Sequence, residues 1–267
     1  MRAALLDAAA GRRAEAIGVR AYASLFGERA VRIGGATAFR APEAPDAPML
    51  NRVVQLGVER AATPEQLDAA LLAMAGLRCY VAVSPAARPP ELADWLRRRG
   101  FEPGWGWRQF RRAADDLPAA ETALELVEVG PERADDFARV VRAAYGLPEA
   151  TRPWIAATAA LDGWTCWLAL ADGEPAGAAA LFVDDGAGYL GFAATLPEHR
   201  GKGAQSALLA VRIRRAAELG CGEVFTETGE LRPDRPSNSY RNILRAGFGE
   251  LHVVPNWLSP APTSPTR

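Results

Sequence analysis

The sequence predicts an α+β protein of two similar halves, each a mixed, mostly antiparallel sheet flanked by helices. Three observations carry this. From residue 124 onward, runs with strand periodicity interleave with helical runs in the order β-α-α-β-β-β-α-β-α-β, which is not the strict alternation of a doubly wound sheet. Asp172-Gly173 and the stretch DDGAG at 184–188 mark tight hairpin turns between neighbouring strands. The segment WLRRRGFEPGWGW (95–107) parallels ILRAGFGELHVVPNW (243–257): a helix ending in Arg, then Gly-Phe, then a strand.

The elements of the second half follow in order. LELVEV (124–129) reads as a short strand. In 131–146, Pro131 opens a helix, Phe137, Val140, Val141 and Ala144 share one face, and Gly146 stops it. Residues 164–185 give two strands around Asp172-Gly173, and YLGFAAT (189–195) gives a third. In the next helix Leu209, Ile213, Ala216 and Ala217 fall on one face, Arg212 and Arg215 face away, and Gly220 closes it. The strand GEVFTET (222–228), a helix over 237–247 and strand material in 248–258 complete the half.

The first half echoes this order, with MLNRVVQLGV (49–58) in the place of YLGFAAT and LRCYVAVSP (77–85) in the place of GEVFTET. The expected division is a degenerate first domain at 1–115, a linker at 116–123, an active domain at 124–258 and a disordered tail at 259–267.

Bulk properties exclude several functions. With 267 residues the chain can hold two domains. Its 31 Lys and Arg against 32 Asp and Glu leave no bulk positive field for a nucleic acid. Cys79, Cys166 and Cys221 lie far apart, which argues against a disulfide framework and a cysteine zinc site and for a reducing compartment. The first 27 residues are too charged for a signal or membrane span and predict an amphipathic helix of a cytoplasmic protein. No metal is expected, since His252 stands without advertised partners.

The stretch PEHRGKGAQSALL (197–209) places Arg200, Gly201, Lys202 and Gly203 between a strand-like and a helix-like run. A helix N-terminus leaves N–H groups unpaired and carries partial positive charge. Glycines there let a phosphate come close, and Arg200 and Lys202 add charge. The spacing matches neither a Walker loop nor a dinucleotide fingerprint. Opposite this region, the first half has ERAATPEQL (59–67), with no glycine and added acid.

Together, TLPEHRGKGAQSALL (195–209) and SYRNILRAGF (239–248) resemble motifs of the GCN5-related N-acetyltransferases, over about residues 124–258. The resemblance implies an acyltransferase that uses acetyl-CoA as cosubstrate and an amine as acceptor, one cofactor per chain. The family cradle R-x-x-G-x-G/A falls on Arg200, Gly203 and Gln205, and Gln205 departs from the pattern. By resemblance, Arg200, Gly201, Lys202, Gly203, Ala204 and Gln205 hold the pyrophosphate. Phe192, Ala193, Ala194 and Thr195 form a bulged strand that pairs with the pantetheine arm, and Asn238 or Asn242 contacts that arm.

Glu227, on the strand expected to line the cleft, is the candidate base, against the plainer reading of an exposed strand-end carboxylate. The family's tyrosine acid falls on Ile243. Tyr240, one turn nearer the helix start, is the candidate in its stead, against a packing role. Glu198 and His199 are expected to face solvent. Trp105, Trp107, Trp154, Trp164, Trp167 and Trp257 are candidates to wall an acceptor pocket between the halves. The arginines at 97–99 and 212–215 read as solvated helix faces. Small-molecule amines, protein amines, and acyl-CoA binding without turnover all remain open, as does the oligomeric state.

Overall fold

The computed structural model describes residues 2–115, 122–232 and 237–261. Most of the expected linker and the end of the expected tail lie outside them. The first half comprises α1 (Arg2–Phe26), β1 (Ala30–Ile33), β2 (Ala36–Phe39), β3 (Arg52–Val54), α2 (Pro64–Ala73), β4 (Tyr80–Ala82), α3 (Leu92–Arg98), β5 (Glu102–Pro103) and β6 (Trp107–Ala113). The second comprises β7 (Glu125–Glu128), α4 (Ala134–Tyr145), α5 (Arg152–Ala157), β8 (Trp164–Ala171), β9 (Glu174–Asp184), β10 (Ala187–Thr195), α6 (Ala204–Glu218), β11 (Glu223–Gly229), α7 (Asn238–Arg245), β12 (Gly249–Val254) and β13 (Asn256–Leu258). The hairpin β8–β9 turns on Asp172 and Gly173, with φ of 52° and 84°.

Two mixed sheets result, ordered β1-β2-β3-β4-β13-β5 and β12-β6-β11-β10-β9-β8-β7. Strand directions repeat between them: β3 runs parallel to β4 as β10 does to β11, and the flanking pairs are antiparallel. The repeat legible in the sequence is thus a repeat of topology.

The halves exchange their last strands, which the sequence reading does not anticipate. First-half β6 inserts between β11 and β12, and second-half β13 inserts between β4 and β5. The two connections touch where they cross. The Gly104 N–H donates to the Asn256 carbonyl and the Asn256 Nδ2 to the Trp105 carbonyl, both at 2.7 Å. A Cβ at Gly106 would lie 2.7 Å from Val253 Cγ1, so the crossing leaves no room for a side chain there.

Helix α1 lies between the sheets. Ile17 and Phe26 join Phe39 of the first sheet and Tyr189 and Phe225 of the second in one core, completed by Phe137, Val140 and Val141 of α4. The opposite face of the second sheet buries Trp167, Leu181 and Leu190 under Leu209 and Ile213 of α6. That of the first buries Val53 and Val81 under Leu67 of α2 and Leu96 of α3. Each fully buried side chain of this size contributes about 1.5–3 kcal/mol.

Exchanged strands give each sheet a gap when its partner is missing. Fragments 1–116 and 122–267, expressed apart, are expected to show no cooperative thermal transition, and expressed together to copurify and regain one. Independent cooperative melting of either fragment would contradict this.

Candidate active site

The second sheet opens at a bulge. Strand β10 pairs in parallel with β11 from Ala187–Glu223 to Leu190–Thr226 and then leaves it. Its register with β9 shifts between Gly191 and Ala194, and Phe192 sits at φ 52°, so the bulge expected over 192–195 is present. Strand β11 meanwhile continues to Gly229 beside the exchanged β6. A wedge opens between them.

Two side chains hold the carbonyls of this bulge. Arg212, expected to face solvent, is fully buried. Its Nη1 donates to Gly191 O at 3.1 Å and Ala180 O at 3.2 Å, and its Nε to Leu208 O at 2.8 Å. Burial pulls its pKa down to about 9, against the opposing pull of Tyr145 and Tyr189, so it stays charged at neutral pH. The Tyr145 hydroxyl, at the end of α4, donates to Ala193 O at 3.0 Å.

A groove of about 710 Å³ runs from the bulge to the start of α6. Gly203, the N-cap of α6, has φ 81° and offers no side-chain cap, and Gly201 has φ 82° with open space where a Cβ would sit. These left-handed positions favour glycine, and the first N–H groups of α6 are left for a ligand. Of the residues expected to hold the cofactor, Ala193, Ala194, Thr195, Arg200, Gly201, Gly203, Ala204, Gln205, Asn238 and Asn242 line the groove. Phe192 borders the adjoining cleft instead. Lys202 turns its Nζ to His199 Nδ1 at 3.5 Å and does not line the groove, whereas His199, expected to face solvent, does.

Gln205, the departure from the cradle pattern, latches α6 to α7: its Nε2 donates to Ser239 Oγ at 2.9 Å and its Oε1 accepts from Asn242 Nδ2 at 2.8 Å. The Asn238 side chain accepts from Arg241. Arg241 and Arg245 also line the groove and were missed in the sequence. Their spacing with Asn238 and Asn242, on one face of α7, is the signal that locates them. Three arginines and an uncapped helix N-terminus fit a ligand with several phosphates.

The matching place in the first half is closed. Thr63 and Gln66 form a capping box on α2, with Pro64 in its first turn. Arg88 docks against the preceding loop, its N–H donating to Gly57 O at 2.9 Å and its carbonyl accepting from Ala62 N at 2.7 Å. The start of α2 is thus capped by the chain's own side chains.

Beyond the bulge lies a cleft of about 360 Å³ between the halves, walled by Tyr22, Leu25, Met49 and Leu50 on one side and by Trp154, Tyr189 and Glu227 on the other. Trp105 and Trp107, from around β6, complete it. The indole N–H groups of Trp107 and Trp154 are buried without a partner. Trp164, Trp167 and Trp257 are core residues instead, a correction to the expected tryptophan wall.

Glu227 is oriented from several directions. Its Oε2 accepts from Gln109 Nε2 at 2.7 Å, its Oε1 accepts from the Tyr189 hydroxyl at 3.1 Å, and Arg52 Nη1 lies 3.7 Å from Oε1. Burial raises the pKa values of Tyr22 and Tyr189, and the Glu227 charge raises them further. Tyr240 is not brought to the cleft: its hydroxyl bonds to Glu250 of β12 on the surface, and its ring meets Phe110 edge-on. Ile243, in the place of the expected tyrosine, is buried and borders the cleft. His252 Nε2 pairs with Glu15 Oε1 at 2.9 Å, and no metal-binding cluster occurs among the described residues.

The profile of the acetyltransferase (GNAT) family matches residues 134–235, which hold the bulge, the uncapped helix and Glu227. The second half is a GNAT acetyltransferase domain. Solved structures resemble almost the whole chain. A GCN5-related N-acetyltransferase from Kribbella flavida matches with TM-score 0.60 and 20% identity, over 87% of this chain and 90% of its own. A protein of unknown function from Staphylococcus epidermidis gives 0.61 at 13% identity, over 86% and 92%. A tandem GNAT protein from the clavulanic acid biosynthesis pathway gives 0.53 at 18% identity, over 87% and 82%. Their likeness is one of fold, and it extends the GNAT-like architecture to the first half. Curated proteins give no match to this sequence. The GNAT family transfers acyl groups from acetyl-CoA. No helix among the described residues is long and apolar enough to cross a membrane.

Proposed function

We propose that the protein transfers an acetyl group from acetyl-CoA to the primary amine of a small molecule, with the second half as the active half. The observation that carries this is the uncapped start of α6 leading, past the bulge, into a cleft between the halves that holds Glu227. Acetyl-CoA supplies the activated thioester. The N–H groups of α6, with Arg200, Arg241 and Arg245, bind its phosphates. Backbone N–H groups of the bulge line the pantetheine arm and stabilise charge on the carbonyl oxygen. Glu227, with Gln109 and Tyr189 holding its two oxygens, takes the proton that the amine loses.

Attack is direct. Burial pushes the thiol of Cys79 up to about 11 and that of Cys166 up to about 12, and raises Cys221 as well, so none offers a thiolate for an acyl-enzyme. All three are free and buried, in keeping with a cytoplasmic protein.

A small acceptor is favoured over a peptide because first-half residues Tyr22, Leu25, Met49 and Leu50 wall the cleft that holds Glu227. Its aromatic and aliphatic walls fit an amine on an apolar body. CoA release from acetyl-CoA is expected to be faster with arylalkylamines than with lysine-bearing peptides or protein N-termini. A peptide-only response would replace this reading by protein acetylation, and acetyl-CoA binding without release by that of a sensor.

A further inference from the structure

Any acyl transfer here has to pass from the groove to the cleft. Among the described residues, only Tyr145, Ala193, Gln205 and Ser239 border both. Gln205 and Ser239 are hydrogen-bonded to each other, and Ala193 contributes backbone alone. Tyr145 is the one of the four with an ionisable proton, and its hydroxyl already lies on the bulge.

We propose that Tyr145 is the proton donor to the departing CoA sulfur, supplied by α4 and not by the last helix. The inference rests on the acetyltransferase reading above. Two features of the site agree with it. The carbonyl that Tyr145 now occupies, Ala193 O, is an acceptor that a pantetheine amide takes when the arm pairs with the bulge, which frees the hydroxyl beside the thioester. The positions where a tyrosine acid was sought are empty of one: Ile243 is apolar, and Tyr240 is tied to Glu250. Burial of the phenol raises its pKa, with the Arg212 charge pulling the other way, so the donor is protonated at neutral pH.

The step balances as follows in atoms and charge. The amine nitrogen forms a bond to the acetyl carbon and the C–S bond breaks, its electron pair going to sulfur. The sulfur receives the Tyr145 proton and leaves as the thiol, while the proton lost by nitrogen goes to Glu227. Glu227 returns its proton to water, and Tyr145, which borders the groove, takes one back from water that enters as CoA leaves.

The test uses Tyr145→Phe and Tyr240→Phe in the full chain, with 2-phenylethylamine as acceptor. Calorimetric titration of acetyl-CoA comes first. Tyr145→Phe is expected to bind acetyl-CoA within about twofold of the parent, to lose about 10- to 100-fold in kcat, and to show a smaller solvent deuterium isotope effect. The loss is modest because a thiol of pKa about 8.5 leaves tolerably unassisted. Tyr240→Phe, at the surface and outside both groove and cleft, is expected to stay within about threefold of the parent in kcat. An unchanged kcat in Tyr145→Phe, a kcat loss matched by an equal loss of binding, or the larger loss in Tyr240→Phe would overturn the proposal. Failure of the parent itself to bind acetyl-CoA defeats the acetyltransferase reading and is seen before any variant is assayed. Binding by the parent without turnover of this or any other amine overturns the proposal while leaving the groove intact.

Discussion

Gly203→Val is expected to weaken acetyl-CoA binding at least about a hundredfold while the protein still folds. Two costs combine. A β-branched residue at φ 81° stores about 1–3 kcal/mol of backbone strain, which is relieved by moving the N–H groups away from the phosphate seat. Its side chain then occupies the approach that the bare N-cap leaves open. Since 1.4 kcal/mol is a tenfold change in affinity, loss of about 3 kcal/mol of phosphate contact yields the stated factor. The first half provides the control. Thr63→Ala breaks the capping box of α2, where no ligand is expected, so it is expected to cost about 0.5–2 kcal/mol of stability and no affinity. Calorimetric titration beside thermal melting separates the two. A folded Gly203→Val protein with parental affinity would show that the groove is not where the phosphates lie.

Glu227→Gln is expected to lower kcat by about 10²–10⁴, with acetyl-CoA affinity unchanged because the residue lies in the cleft and outside the groove. Glutamine keeps the size of the side chain but cannot take the proton. The same substitution has a signature apart from turnover. The negative charge of Glu227 helps to raise the pKa values of Tyr22 and Tyr189, so its removal lowers both. The descent is partial, since burial is the larger cause. In an ultraviolet titration of tyrosinate, the last groups to ionise should therefore do so at lower pH in the variant. If the titration moves and the rate does not, Glu227 is part of the cleft wall and not the base.

Much of the second half is legible in the sequence because its signals are local. Asp172-Gly173 makes a hairpin wherever it stands between two strands, and RGKG ahead of an apolar helical run makes a bare helix start. The misreadings concern partners distant in sequence. Arg212 was assigned to solvent by its polarity, yet Leu208 and Ala216, one turn to either side, are both buried, and a stripe through 208, 212 and 216 places it on a covered face. Tyr240 turns to Glu250 while Tyr145 borders the cleft for a similar reason. A helical tyrosine shows which face it shares, not which strand edge that face will meet. The strand exchange leaves no local mark at all, since β6 and β13 have the same alternating character whichever sheet they join. Only Gly106, needed where the connections cross, hints at it.

The exchange also bears on inheritance. Gln109 is encoded in the first half, yet it fixes the Glu227 carboxylate of the second. Trp257 is encoded in the second half and fills the core of the first. Neither half is free to change alone, because a recombination that trades one half for that of a relative also trades a strand of the other half's sheet. The two halves are bound to diverge in concert, as a single hereditary unit.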